Sequence, residues 1–137
     1  MSHLHDLMVL NNRLLRILQH SKPKTNSSEF YLLYGTLPVN KLVKFQMLIH
    51  AHNIFYCSER LPKIFLADRL MNSDVHSHKT RSSHDFHRFA SNSGPGSRTS
   101  LNICIKLWND LPQQLKNIPG VVTFEKQIKK LLSLENI

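Results

Sequence analysis

Leu4, Leu7, Met8, Leu14, Leu15 and Leu18 recur at spacings of three, four and seven. That rhythm predicts an amphipathic helix over 4–20 with these side chains on its buried face. Asn11 interrupts the face at its middle, and Asn12, Arg13, Arg16 and Gln19 fill much of the remainder. Ser21-Lys22-Pro23 ends the pattern, because Pro restricts the residue before it and does not continue a helix easily. A short second helix is expected from a Ser27 or Ser28 cap to Tyr34, with Glu29 in its first turn and Gly35 at its exit. Its run Phe30-Tyr31-Leu32-Leu33-Tyr34 reads as core packing, although Tyr31 or Tyr34 has a face that could stack on a base. Pro38 opens a third helix over 39–57. Leu42, Phe45, Leu48, Ile49, His52, Phe55 and Tyr56 keep helical spacing there, while Lys41 and Lys44 point elsewhere. His52 falls on the apolar stripe and is expected to be a core histidine with a satisfied hydrogen bond. His50 falls off the stripe.

Beyond residue 60 the rhythm weakens. Leu61-Pro62-Lys63-Ile64-Phe65-Leu66 suggests a short helix starting at or just after Pro62. Residues 71–100 are rich in Asn, Ser and His, hold Gly94-Pro95-Gly96 and carry few aliphatics, which predicts a loop or hairpin arm. In 99–105 polar and apolar positions largely alternate, so Leu101, Ile103 and Ile105 would share one face of a strand. The stretch Asp85–Phe89, with Phe86 turned to the core, is its expected partner. Lys106–Leu111 is expected to form a helical turn burying Leu107, Trp108 and Leu111. The last helix is expected from a Thr123 cap to Leu134, with Phe124, Ile128, Leu131 and Leu132 as its stripe. The resulting fold class is mainly α: a small helical domain with a short β-hairpin and a long irregular basic loop. Three regions are expected, 1–70, 71–100 and 101–137, forming one compact unit.

Charge narrows the partners. Eighteen Lys and Arg stand against nine Asp and Glu in 137 residues, a formal net charge of +9 that favours polyanions. Cys57 and Cys104 are isolated thiols, which suits a reduced, intracellular setting. No run approaches the ~18 apolar residues that a membrane helix requires, and no secretory leader pattern is seen. A cytoplasmic or nuclear protein with no membrane partner is expected.

Catalytic constellations are sparse. Asp6, Glu29, Glu59, Asp68, Asp74, Asp85, Asp110, Glu125 and Glu135 are scattered singly, so no adjacent carboxylates offer themselves to a pair of magnesium ions. His76, His78, His84 and His87 with Asp85 have metal-like spacings, but no Cys joins them and no supporting shell is evident, so neither a metal nor another cofactor is assigned. Ser83-His84-Asp85 are sequence neighbours, whereas a triad needs convergence in space. The basic loop is the better candidate. Lys79, Arg81, Arg88 and Arg98 stand among His, Ser, Phe86 and Phe89, a mixture that can hold phosphate by charge and stack a base. Arg13, Arg16, Lys22 and Lys24 form a second basic group at the end of the first helix. Lys126, Lys129 and Lys130 fit ordinary amphipathic packing.

The order of several motifs carries a resemblance. Arg13-Leu14-Leu15-Arg16-Ile17-Leu18, Ser28-Glu29-Phe30 with Gly35-Thr36-Leu37-Pro38-Val39, and Asn72 through Arg81 are its first parts. Ser97-Arg98-Thr99-Ser100-Leu101, Lys106 through Pro112 and Phe124 through Leu132 complete it. Together they resemble the carboxyl end of reverse transcriptases from non-LTR retrotransposons of the jockey-like and LINE type, over about residues 4–134. The chain departs from that pattern at His78 and Lys79, where Tyr and Asn are usual, and at Cys104 and Ile105, where Gly-Pro is usual. The resemblance implies a thumb-like region in 1–70 that tracks a template–primer duplex by its backbone, with the catalytic palm and its Tyr-x-Asp-Asp turn lying upstream. The expected function is therefore a non-catalytic fragment of an RNA-directed DNA polymerase that binds RNA or DNA backbone without sequence preference. The alternative expectation is a co-opted protein-interaction or structural module, or a transposon relic without function.

Overall fold

The computed structural model describes residues 2–22, 24–63, 70–78, 80–88 and 99–134, with the side chains of residues 2 and 3 excepted. Among these residues the helices are α1 (Ser2–Leu18), α2 (Ser28–Leu33), α3 (Val39–Tyr56), α4 (Asn72–Val75), α5 (Ser100–Asn109), α6 (Gln113–Lys116) and α7 (Val121–Leu134), with a 3-10 turn at Ser58–Arg60. The protein is mainly α, and among the described residues there is no strand beyond an isolated antiparallel bridge between Met71 and Phe86. Most of the helix expected after Pro62, and the Gly94-Pro95-Gly96 turn, lie outside the described residues. Two compact units divide the chain: Met1–Phe45 with Gln127–Ile137, and Gln46–Lys126.

The first unit is built on α1 and α2. α1 ends in a left-handed residue, His20 at φ 49°, with the Ser21 amide donating to the Arg16 carbonyl at 2.9 Å and the His20 amide to that of Ile17 at 3.0 Å. α2 ends in the same way, with Gly35 at φ 57°, the Thr36 amide on Tyr31 and the Gly35 amide on Leu32. These are Schellman closures, which satisfy helix-end carbonyls and favour glycine at the left-handed position. The Gly35 exit was legible, but the His20 one was not. Asn26, rather than Ser27 or Ser28, serves the start of α2: its Oδ1 accepts from the Ser28 amide at 3.1 Å and the Ser28 hydroxyl at 2.8 Å.

α1 does not bury the predicted face. Its sheltered side is Met8, Asn11, Asn12, Leu15 and Gln19, again at helical spacing, while Leu7, Leu14 and Leu18 are exposed. Tyr31 is the reason. Its ring is buried and its phenol is held by two amides, with Asn11 Nδ2 donating to it at 3.0 Å and the hydroxyl donating to Asn12 Oδ1 at 2.6 Å. A buried hydroxyl left unpaired costs about 1–3 kcal/mol, so the asparagines belong on the inner side. Burial raises the Tyr31 pKa, with Asn11 and Arg16 pulling the other way. Gln19 Nε2 also donates to the Tyr34 hydroxyl. Lys41, expected to point outward, is buried and donates to the Leu132 carbonyl in the last turn of α7 at 2.7 Å. Ile128 and Leu132 are buried in the same unit.

The second unit closes around the chain's one Trp. Trp108 is fully buried, with ring centroids of Phe55, Phe124, Phe86 and His52 at 5.3, 5.9, 6.0 and 6.2 Å. His52 is the core histidine expected. Its ring stacks on Phe124 at 4.4 Å, and Nε2 donates to the Ile118 carbonyl at 2.8 Å. Tyr56 donates to the Lys116 carbonyl at 2.6 Å, so α3 holds the carbonyl of the last residue of α6 and one in the connection to α7. Burial raises the pKa of Tyr56.

The predicted strand over 99–105 is helical. Thr99 Oγ1 accepts from the Asn102 amide at 3.4 Å and caps α5. Cys104, Ile105 and Trp108 are buried at spacings of one and three, whereas Ile103 is exposed. The alternation of Leu101, Ile103 and Ile105 was therefore accidental, and the 3.6-residue period that includes Trp108 prevailed. Cys104 lies against Met47, Sγ to Sδ 3.2 Å, and burial pushes its thiol pKa up to about 11. α7 begins at Val121, two residues before the expected cap, with the Phe124 amide on the Gly120 carbonyl.

Candidate nucleic-acid interface

The first basic group converges in part. Arg13 and Arg16, one turn apart on α1, line a cleft of about 410 Å³ together with Val9, Ile17 and Ser21. Arg13 is exposed and Arg16 is half-buried. Arg16 Nε donates to the Thr25 carbonyl at 2.8 Å, which fixes the turn after α1 and leaves the two Nη groups as further donors. Lys22 and Lys24 are exposed in that same turn. Four cations thus belong to one short stretch, with one guanidinium pre-positioned by a backbone carbonyl. Such a site suits phosphate oxygens, because a planar fork held in place loses less freedom on binding.

The second basic group is only partly within the described residues. Arg81 and Arg88 are exposed in the second unit, whereas Lys79 and Arg98 lie outside the described residues, as does Phe89. Phe86 does not serve as a stacking platform. It is buried, edge-on to Phe55 at 5.7 Å.

The segment 70–88, expected as irregular, is a closed loop. The Asn72 amide donates to the Asp85 carbonyl, Ser73 to Ser83 and His87 to Leu70, at 3.0, 3.1 and 2.7 Å. Asn72 Nδ2 reaches the Ser82 carbonyl at 2.9 Å, and the Asp74 carboxylate accepts from the Met71 amide at 2.9 Å. The expected hairpin of 85–89 with 101–105 is thus replaced by a pairing of 70–73 with 82–87. Arg81 stands in the turn that joins the two sides.

Two residues that the sequence reading passed over fasten this loop. Asn109 Oδ1 accepts from the Phe86 amide at 3.1 Å, and its Nδ2 donates to the Phe86 carbonyl at 2.9 Å. One side-chain amide therefore stands in for a neighbouring strand. Lys116 is buried, with Nζ 2.8 Å from Asp85 Oδ1 and 2.8 Å from the Asn109 carbonyl. The Trp-Asn pair in 108–109 marked the place but not the partner, which lies 23 positions away.

In the His-rich stretch the rings of His76 and His87 lie 5.7 Å apart, and His87 Nδ1 lies 3.3 Å from Asn72 Oδ1. Among the described residues, no three His, Cys, Asp or Glu side chains are grouped so as to hold a metal ion. Among the same residues, no helix is long and apolar enough to cross a membrane. No family model, curated protein or solved structure matches the chain.

Proposed function

We propose that the chain is a non-catalytic nucleic-acid-binding module that holds the phosphate backbone of RNA or DNA, of the kind resembled by the carboxyl end of non-LTR retrotransposon reverse transcriptases. One observation carries the reading: Arg13 and Arg16 share a cleft beside the exposed Lys22 and Lys24, in a chain of net charge +9. Arg81 and Arg88, exposed on a loop tied down by Asn109 and Lys116, support a second point of contact in the other unit. Recognition of this kind is electrostatic and indifferent to sequence, since contacts to phosphate carry no information about the bases.

The test is filter binding of a single-stranded RNA and a DNA duplex across a salt series. Each phosphate contact contributes about 0.7 to the log–log salt slope on single strands and about 0.9 on duplex. Four to six contacts give a slope of about −3 to −5. A flat salt response, or binding only to one RNA sequence, contradicts the reading.

A further inference from the structure

We propose that α1 also docks in the plane of an anionic phospholipid bilayer, its aliphatic face in the acyl boundary and Arg13 and Arg16 at the lipid phosphates. Leu7, Leu10, Leu14, Ile17 and Leu18 share one face of α1, and each is more than half exposed: 51%, 60%, 56%, 63% and 58%. This is the broader apolar side of the helix, because the inner side is shared with Asn11, Asn12 and Gln19. The face belongs to a single helix, and a bilayer surface accepts such a shape without needing a complementary groove.

The flanking charge indicates the occupant. Arg13 lies along one border of the stripe, which Asp6 also borders, and Arg16 shares with Arg13 the cleft lined by Val9 and Ile17, so cationic and apolar groups line one space. Lys22 and Lys24 are exposed just beyond the helix. Asp6 is the sole acid within α1. A helix whose polar border is basic and whose opposite face is aliphatic fits an anionic interface, where guanidinium groups reach the phosphates while the leucines enter. A second copy of the chain fits less well, since pairing along the stripe sets each copy's arginines beside the other's. A helix lying in the interface need not be long enough to span the bilayer.

The proposal goes beyond the nucleic-acid reading but shares Arg13 and Arg16 with it, so the leucines separate the two. The full chain is sedimented with vesicles of phosphatidylserine and phosphatidylcholine, and with vesicles of phosphatidylcholine alone. Partitioning is expected on the anionic vesicles, at least tenfold weaker on the neutral ones, and at least tenfold weaker for L10Q/L14Q. Arg13→Gln is expected to lower partitioning about fivefold. L10Q/L14Q keeps its helical circular dichroism and its RNA affinity. Absence of binding to anionic vesicles, equal binding by L10Q/L14Q, or a concentration-dependent dimer that L10Q/L14Q abolishes in place of vesicle binding overturns the proposal.

Discussion

Replacing Asn109 by Ala tests the contact that joins the basic loop to the Trp108 core. The Asn109 amide is the partner of both the N–H and the C=O of Phe86, at 3.1 and 2.9 Å, and Phe86 is only 2% exposed. In Asn109→Ala both backbone groups lose the side-chain partner that satisfies them. Each buried orphan costs about 1–3 kcal/mol. Part of that is recovered if the loop shifts to admit water, so a net loss of about 2–4 kcal/mol is expected. Asn109→Asp keeps the acceptor and loses the donor, setting a carboxylate oxygen against a carbonyl, and is expected to be no better than Ala. Urea unfolding followed by the fluorescence of Trp108 measures the loss as a shift in midpoint at constant slope. Gln114→Ala, at an exposed position, serves as the control and is expected to stay within about 0.5 kcal/mol. Faster tryptic cleavage at Arg81 and Arg88 in native Asn109→Ala accompanies the loss if the loop is released. A change below about 0.5 kcal/mol with unaltered proteolysis refutes the role given to Asn109.

Other outcomes follow from the same geometry. His20→Gly is expected to stabilise the fold and Gly35→Ala to destabilise it, each by about 1 kcal/mol, since both positions are left-handed and space around Gly35 is open; thermal melts check the pair of opposite signs. Lys116→Met strands Asp85 and the Asn109 carbonyl and is expected to cost about 1–3 kcal/mol in urea, less than a fully enclosed pair because Asp85 keeps some solvent contact. The raised thiol pKa of Cys104 means that the folded state keeps its proton where the unfolded state loses it. That stabilising contribution is complete below the ordinary value of 9.0 and is lost as pH rises from there through about 11. Iodoacetamide at pH 8 is accordingly expected to label the half-exposed Cys57 and to spare Cys104 until denaturant is added, as read by mass spectrometry.

The helices were largely legible because a 3.6-residue rhythm is local. α2 and α3 stand close to where Glu29, Gly35 and Pro38 put them, and Trp108, Phe124 and His52 were identified as core residues. What failed was decided by partners remote in sequence. In 99–105 two periodicities fit the same aliphatics, and only the packing of Cys104 and Ile105 beside Trp108 chose the helix. On α1 the leucines outnumbered the amides, so the leucine face looked like the core. The phenol of Tyr31, 19 and 20 positions away, instead brought Asn11 and Asn12 inward. Lys41 was expected to point outward and Lys116 was passed over, because nothing in their neighbourhood names the Leu132 and Asn109 carbonyls they reach. Of the candidate site, composition revealed the cations, while the tie from Arg16 to Thr25 required the fold.

The central claim is that the α1 cations grip phosphate, and the change in salt slope between the native chain and Arg13→Gln/Arg16→Gln measures it most directly. On single-stranded RNA the double variant is expected to flatten the slope by about 1.4, two contacts at about 0.7 each. Its affinity is expected to fall most at about 50 mM salt and least at about 200 mM. Identical slopes for the two proteins, with helical content preserved, contradict the claim.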